Sequence, residues 1–426
     1  MFYNIELNQI LSKVFFMSDR TVNIGLIGLG ARAETLLAGI MQMKGIRITA
    51  VCDIKQSQIE KILNIFRANN LELPKTFTDY HELLKDQETE AVFISTSWNS
   101  HLPIAQDCLS CGKYAGIEVG GASSAEELWK LVHAAESGNA HCMMLENCCY
   151  GRNELMAMNL ARQGLFGELV YCECGYEHDL CDDISMNLEA GFERAIHNLH
   201  RNGDLYPTHG IGPIAKILKI NRGNRFLTIS SHATKARGLM HDRQKKGLPE
   251  RVFNNGDIVT SVIHCANGEN ITVTHGISLP RPYSRNCRVQ GTKGIWLENA
   301  NGIYIEGIST RKEELDPAGN PYVVHEWDKV EDLYEKYDHP IWKNYHDKVV
   351  GGHGGMDALV MYAFLDAVRR KAAPPIDVYD CAAWMSITYL SEQSIALGGM
   401  PVPFPDFTSG KWVDRKEEAP SIWSLD

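Results

Sequence analysis

Long apolar runs are missing from this chain. No uninterrupted stretch approaches the roughly 18 residues that a membrane span needs, so no membrane partner is expected. Positive charge is also in short supply. Forty-two Lys and Arg stand against 53 Asp and Glu, a formal net charge of −11, which argues against a nucleic-acid partner held by its phosphates. Cysteine is sparse, twelve in 426 residues, and scattered instead of spaced as a disulfide framework, which points to reduced thiols in a cytoplasm. Cys108-Leu109-Ser110-Cys111 has no second pair to complete a zinc site, and no metal is expected. Cys148, Cys149, Cys172 and Cys174 read as packing. Near the N-terminus, Val14-Phe15-Phe16 has no basic lead, and Glu6 and Lys13 interrupt the stretch around it. No export signal is read, and residues 1–20 are taken as an extension.

What is present is an ordinary globular composition, 44% apolar and 22% charged, with length enough for two cores. Val22 to Ile27 is a short apolar run, read as a buried strand, that feeds Gly28-Leu29-Gly30-Ala31-Arg32-Ala33 and a helical pattern from Glu34 to Met43. In that context the glycines have definite work. Gly28 makes the tight turn, Gly30 admits a pyrophosphate to the helix N-terminus, and Ala33 keeps helix and strand close. A second strand, Ile46 to Val51, ends at Asp53, placed to accept the ribose hydroxyls of NAD and to repel the 2′-phosphate of NADP. Arg32 could in principle cradle such a phosphate; with Asp53 present, NAD is favoured. Ala91 to Thr96 is another buried strand, followed by Ser97-Trp98-Asn99-Ser100-His101, where ligands sit in open α/β sheets, and Trp98 offers a flat surface to a nicotinamide or adenine. Strands near Tyr114 to Val119 and His141 to Leu145 bring in Glu118 and then Glu146-Asn147. A dinucleotide-binding α/β domain of Rossmann type is expected over 21–147.

Beyond it, over 148–426, strands cluster: Glu168 to Tyr176, Phe226 to His232, Asp257 to Cys265, Asn270 to Ser278, Asn286 to Gln290 and Gly294 to Leu297. Helices return at Met356 to Lys371 and Tyr379 to Ala396. This order predicts an α+β domain with a mostly antiparallel open sheet, whose exposed face suits a second copy of the chain in a homo-oligomer. The stretch from Arg311 to His353 reads as a loop wrapping the site. Within the domain, Tyr206-Pro207-Thr208-His209-Gly210-Ile211-Gly212-Pro213 runs a polar turn into an apolar helix start. Pro207 fixes its own φ and the two glycines allow close approach, so Tyr206 and His209 are held stiffly.

The glycine turn, Asp53, the turn from Ser97 to His101, Glu118 and the second half together resemble the Gfo/Idh/MocA oxidoreductase superfamily. More finely, His141 to Asn147, Tyr150-Gly151-Arg152, Gly175 to Leu180, Arg201 to Gly210, Pro282 to Arg285 and Gly352 to Asp357 resemble glycoside hydrolase family 109, the NAD-dependent α-N-acetylgalactosaminidases. The resemblance implies bound, recycled NAD and a glycan or small-molecule substrate ending in N-acetylgalactosamine. Ala31, Arg32, Asp53, Trp98, Asn99, Ser100, His101, Glu118, Val119 and Asn147 fall at cofactor positions. Tyr176, Arg194, Tyr206, Pro207, Thr208, His209 and Tyr283 fall at substrate positions. The superfamily's dehydrogenases usually carry Lys where this chain has Val119, which counts against the alternative of an NAD-dependent sugar dehydrogenase.

No carboxylate pair is placed as the two flanking acids of an ordinary glycosidase. The expected route is oxidation at C3 of the sugar with His209 receiving the hydroxyl proton, removal of the C2 proton by Tyr176, elimination of the aglycone, addition of water and reduction, with no net redox. Tyr176 as a base needs a donor or cation beside it, and His178 shares its face if the strand continues that far. Glu146 is the candidate to orient His209 or hold a sugar hydroxyl, and Arg194 to bond the acetamide carbonyl.

Overall fold

Val22–Ile27 (β1) is enclosed on both faces, as near-continuous apolar strands of parallel sheets are. In the computed structural model, which describes residues 20–345, 352–415 and 421–426, β1 lies within a six-stranded parallel sheet. Its companions are Ile46–Cys52 (β2), Lys75–Phe77 (β3), Ala91–Ile94 (β4), Tyr114–Ile117 (β5) and Cys142–Met144 (β6), in the order β3-β2-β1-β4-β5-β6. The strand order reverses between β1 and β4, the place where such sheets open a crevice at their carboxyl ends. Most of the expected N-terminal extension lies outside the described residues.

The second sheet has nine strands. They are Leu169–Glu177 (β7), Phe226–Ala233 (β8), Val259–Cys265 (β9), Asn270–Gly276 (β10), Arg288–Gly291 (β11), Gly294–Leu297 (β12), Gly302–Ile305 (β13), Asp328–Lys329 and Val402–Pro403. Neighbours pair antiparallel except β7 with β10, which run parallel. Along β9 burial alternates strictly: Val259, Ser261, Ile263 and Cys265 point inward, whereas Thr260, Val262 and His264 face solvent. The helices Thr208–Ile217 and Val378–Ala396 cover the inner face over β7 and β8.

One expectation fails here. The stretch from Arg311 is not a wrapping loop: Arg311–Leu315 and Pro321–His325 form an antiparallel hairpin, and the short helices Tyr334–Tyr337 and Pro340–Tyr345 follow. Asp316 closes the hairpin by accepting backbone N–H bonds from Ala318 and Asn320. Its first strand is charged and exposed, and its second, Pro321-Tyr322-Val323-Val324-His325, is mostly exposed too, so no apolar alternation announces the pair. Residues 346–351 of that stretch lie outside the described residues.

Candidate active site

The strands of the parallel sheet deliver their polar residues to one edge. Gly28, directly after β1, has φ +84, and a Cβ there would come within 2.7 Å of the Thr96 nitrogen. Gly30 caps the helix Ala31–Ile40, and a Cβ on it would meet nothing within 4 Å. The turn is therefore a backbone cradle, open at the helix N-terminus, which suits a pyrophosphate. Asp53 stands at its rim, with Oδ2 accepting the Leu29 N–H and Oδ1 the Lys55 N–H, each at 2.8 Å. A carboxylate fixed there fits ribose hydroxyls and opposes a 2′-phosphate.

Arg32 does not turn toward that rim. Its Nε donates to Glu118 at 2.8 Å, and its two terminal nitrogens donate to Asp357, each at 3.0 Å. Asp357 also accepts from Asn147 Nδ2 at 2.7 Å and lies 2.9 Å from His353 Nδ1. Burial raises the Asp357 carboxyl, but the hydrogen bonds from His353 and Arg32 outweigh it and hold it below the ordinary carboxylate range. Burial dominates at Glu118, which is raised in spite of Arg32. The guanidinium that the sequence offered as a phosphate cradle is instead the centre of an ion-pair cluster binding the two halves together.

The turn after β4 opens the helix Trp98–Ser110, whose first amides are capped from the other half: Trp98 N and Asn99 N donate to Glu193 at 2.6 and 3.2 Å. Ser100 bonds back to Thr96 and Ser97, and His101 is buried with Nε2 3.0 Å from the Thr96 carbonyl. Burial lowers the His101 pKa and keeps it neutral. The Trp98 ring is not a bare platform. His197 and Tyr206 stack on it with centroids at 5.4 and 5.5 Å, and Arg194 sits over Trp98 and Tyr206.

His209, in the first turn of Thr208–Ile217, places Nδ1 2.7 Å from Glu146 Oε1. The Glu146 side chain is wholly buried and that of His209 is 12% exposed. Burial opposes both charges, yet the pairing wins. Cys148 and Glu146 carry the His209 pKa well above its usual value, and His209 holds the Glu146 carboxyl below its own. Tyr176, near the end of β7, has its ring centroid 5.5 Å from that of His209 and its hydroxyl 3.2 Å from His178 Nδ1. β7 stops at Glu177, but His178 N still bonds the Gly276 carbonyl, so the pleat carries His178 onto the Tyr176 face. Burial first, and then Arg194, lower the His178 pKa, leaving a neutral ring that can accept the phenol proton. Tyr206, whose phenol burial raises to about 12, and Tyr283 complete the wall, with centroids 4.8 and 6.0 Å from Tyr176.

The fold thus brings Glu146, Tyr176, Arg194, Tyr206, His209 and Tyr283 to one place beside the carboxyl edge of the parallel sheet. Pro207 and Thr208 lie beneath it, buried, with Thr208 0% exposed, so they shape the turn and present no side chain to solvent. Val119 is buried beside Glu118, and Asn147 is held by Asp357. Three contacts at the site were not foreseen from the sequence: Asp357, there only part of a family motif, as the partner of Arg32, Glu193 as a cap, and Cys148, read as packing, against His209. For Glu193 the hint was its place next to Arg194.

Residues 150–414 match the family model described as glycosyl hydrolase 109, C-terminal domain, and residues 22–146 match that of the oxidoreductase family, NAD-binding Rossmann fold. The chain is 41% identical over 428 residues to an α-N-acetylgalactosaminidase of Tannerella forsythia, covering 94% of this chain and 89% of that protein. It is 38% identical to one of Shewanella oneidensis over 93% of this chain and 87% of that one. Among solved structures, levoglucosan dehydrogenase in complex with NADH and levoglucosan superposes with a TM-score of 0.66 at 18% identity, covering 91% of this chain and 100% of the other. The myo-inositol 2-dehydrogenase of Lactobacillus plantarum gives 0.62 at 14%, with 91% and 100% covered. These two share the fold.

Proposed function

The chain belongs to glycoside hydrolase family 109, and from that membership we propose that it releases terminal N-acetylgalactosamine from glycans or smaller glycosides. It is a glycosidase with NAD as its cofactor, and its substrate is a sugar or glycan. The observation that carries the finer reading is the Glu146–His209 pair set against the Tyr176–His178 pair in one aromatic-walled site. Two acid–base couples stand where an ordinary glycosidase needs two free carboxylates.

The open turn at Gly28 and Gly30 and the rim carboxylate of Asp53 would hold the dinucleotide, with Glu118, Val119 and Asn147, at the ends of later strands, as further cofactor residues. When bound, NAD supplies reversible oxidation at C3 of the sugar. The protein supplies the proton traffic. His209 takes the C3 hydroxyl proton while Glu146 fixes its tautomer and orientation, a role that suits a carboxylate with no exposure of its own. Tyr176 takes the C2 proton, acidified by the neighbouring ketone, and passes its own along the hydrogen bond to His178. The aglycone leaves C1, water adds there, and both couples return their protons. Arg194, poised over Tyr206, bonds the acetamide carbonyl. The dehydrogenase alternative lacks a proton carrier at residue 119, a buried valine.

No helix among the described residues is long and apolar enough to cross a membrane. The twelve free cysteines support a cytoplasmic location, which fractionation of the native host checks. The activity is tested with chromogenic α- and β-linked N-acetylhexosaminides, before and after stripping NAD. Release from the N-acetylgalactosaminides only when NAD is present is the expected result; turnover that ignores NAD would overturn the reading.

A further inference from the structure

Among the described residues, a single group of three metal-ligating side chains converges: Glu146, Cys148 and His209, whose ligand atoms all lie within 4.8 Å of one another. The sequence gives no warning of it, because Glu146 and Cys148 sit on one short turn after β6 while His209 enters from a distant helix. The three atom types, carboxylate oxygen, thiol sulfur and imidazole nitrogen, form a ligand set that zinc accepts at about 2.0–2.3 Å, leaving one tetrahedral position open. At those bond lengths neighbouring ligands stand roughly 3–4 Å apart, so only small side-chain rotations separate the apo arrangement from a coordinating one. Arg285 Nη1 lies 3.7 Å from Cys148 Sγ, but its guanidinium is paired with Glu154, so the two together present no net charge to an arriving dication. The approach is through the substrate opening, since His209 is the member of the group that reaches solvent.

We propose that Glu146, Cys148 and His209 form an inhibitory site for a thiophilic divalent cation such as Zn²⁺. On binding, the Cys148 thiol gives its proton to solvent as the S–Zn bond forms, and His209 Nδ1, which faces Glu146, takes the metal while its proton passes to Nε2, so the lone pair that serves catalysis is lost. Turnover stops because His209 can no longer take the C3 hydroxyl proton. Free zinc thereby governs the hydrolase.

The test titrates Zn²⁺ onto chelator-treated holoenzyme with NAD bound, and Co²⁺ in parallel for its absorption. The expected results are one-to-one inhibition reversed by chelator and a thiolate-to-Co²⁺ charge-transfer band in the near ultraviolet. In Cys148→Ser the band disappears and the inhibitory concentration, referred to that variant's own metal-free rate, rises by at least the 10–100-fold, roughly, that losing even an outer-shell partner costs. Cys111→Ser, which removes an exposed thiol elsewhere, changes neither. Equal inhibition of wild type and Cys148→Ser, or cobalt binding without the band, would overturn the proposal. If Cys148→Ser does not fold, alkylation of the wild type decides: Zn²⁺ must protect Cys148 from iodoacetamide, and no protection refutes the site. The inhibitory effect rests on the proposed function, whereas the band and the alkylation need no turnover, so a protein inactive on N-acetylgalactosaminides would sink the functional reading and leave the metal site itself to stand or fall on these two.

Discussion

Gly210 lies against Gly175 so closely that a Cβ on it would stand 2.6 Å from the Gly175 nitrogen. The contact is backbone on backbone, with no flexible side chain to yield. It lets the helix carrying His209 settle onto the strand carrying Tyr176, and so sets the spacing of the two acid–base couples. Gly210→Ala is expected to force helix and strand apart, at about 1–3 kcal/mol of overpacking. A lowered melting temperature together with a larger loss in kcat than in NAD affinity is the expected outcome. Wild-type kcat in this variant would mean that the contact does not set the catalytic spacing.

His209 accepts a proton only when neutral, and Glu146 with Cys148 holds its pKa well above 6.5. Activity must therefore rise as pH climbs through that raised value, giving kcat/KM an acid limb on the alkaline side of 6.5. Glu146→Gln removes one source of negative charge, which moves the limb to lower pH. It also loosens the imidazole tautomer and costs on the order of 10²-fold or more in kcat. An unmoved limb in the variant separates Glu146 from His209.

Turnover in deuterated water should place deuterium at C2 of the released sugar, because the proton taken there is returned from an exchangeable phenol. Tyr176→Phe should abolish both release and labelling while NAD stays bound. Sugar released by wild type without label at C2 removes Tyr176 from the role assigned to it.

The rim carboxylate gives a fourth measurement. Asp53→Ala loses a charged acceptor for the ribose, and its affinity for NAD, read by calorimetry on cofactor-stripped protein, should fall by about tenfold or more. NADP binding should weaken less or improve, since the repulsion at the 2′-phosphate is gone. Parallel losses for both cofactors would place the ribose elsewhere.

Much of this is legible in the sequence. The run Val22 to Ile27, the glycine turn and Asp53 are local signals, and local sterics fix them: a strand buried on both faces needs continuous apolar residues, and φ +84 at Gly28 needs glycine. The convergence of Tyr176, Tyr206 and His209 came through the family resemblance. What escaped was long-range or charged. Asp357 meets Arg32 across most of the chain, and no periodicity encodes such a pairing. Cys148 looks apolar in sequence and becomes a neighbour of His209 only when the helix docks. The hairpin from Arg311 to His325 opens with the charged strand Arg311–Leu315, and both its strands are largely exposed, so neither shows the apolar alternation of a half-buried strand.

The carboxylate of Glu193 clasps the first amides of the helix after β4, and His197 and Arg194 lie on the indole that begins it. Such a latch ties the roof of the sugar chamber to the floor of the coenzyme slot. A dinucleotide leaving past that latch would have to part those bonds, a cost that an ordinary dehydrogenase, needing fresh coenzyme every cycle, would meet at each turnover. A catalyst that restores its own oxidant before each product departs loses nothing by it, and in the cell it draws on no shared pool of reducing equivalents.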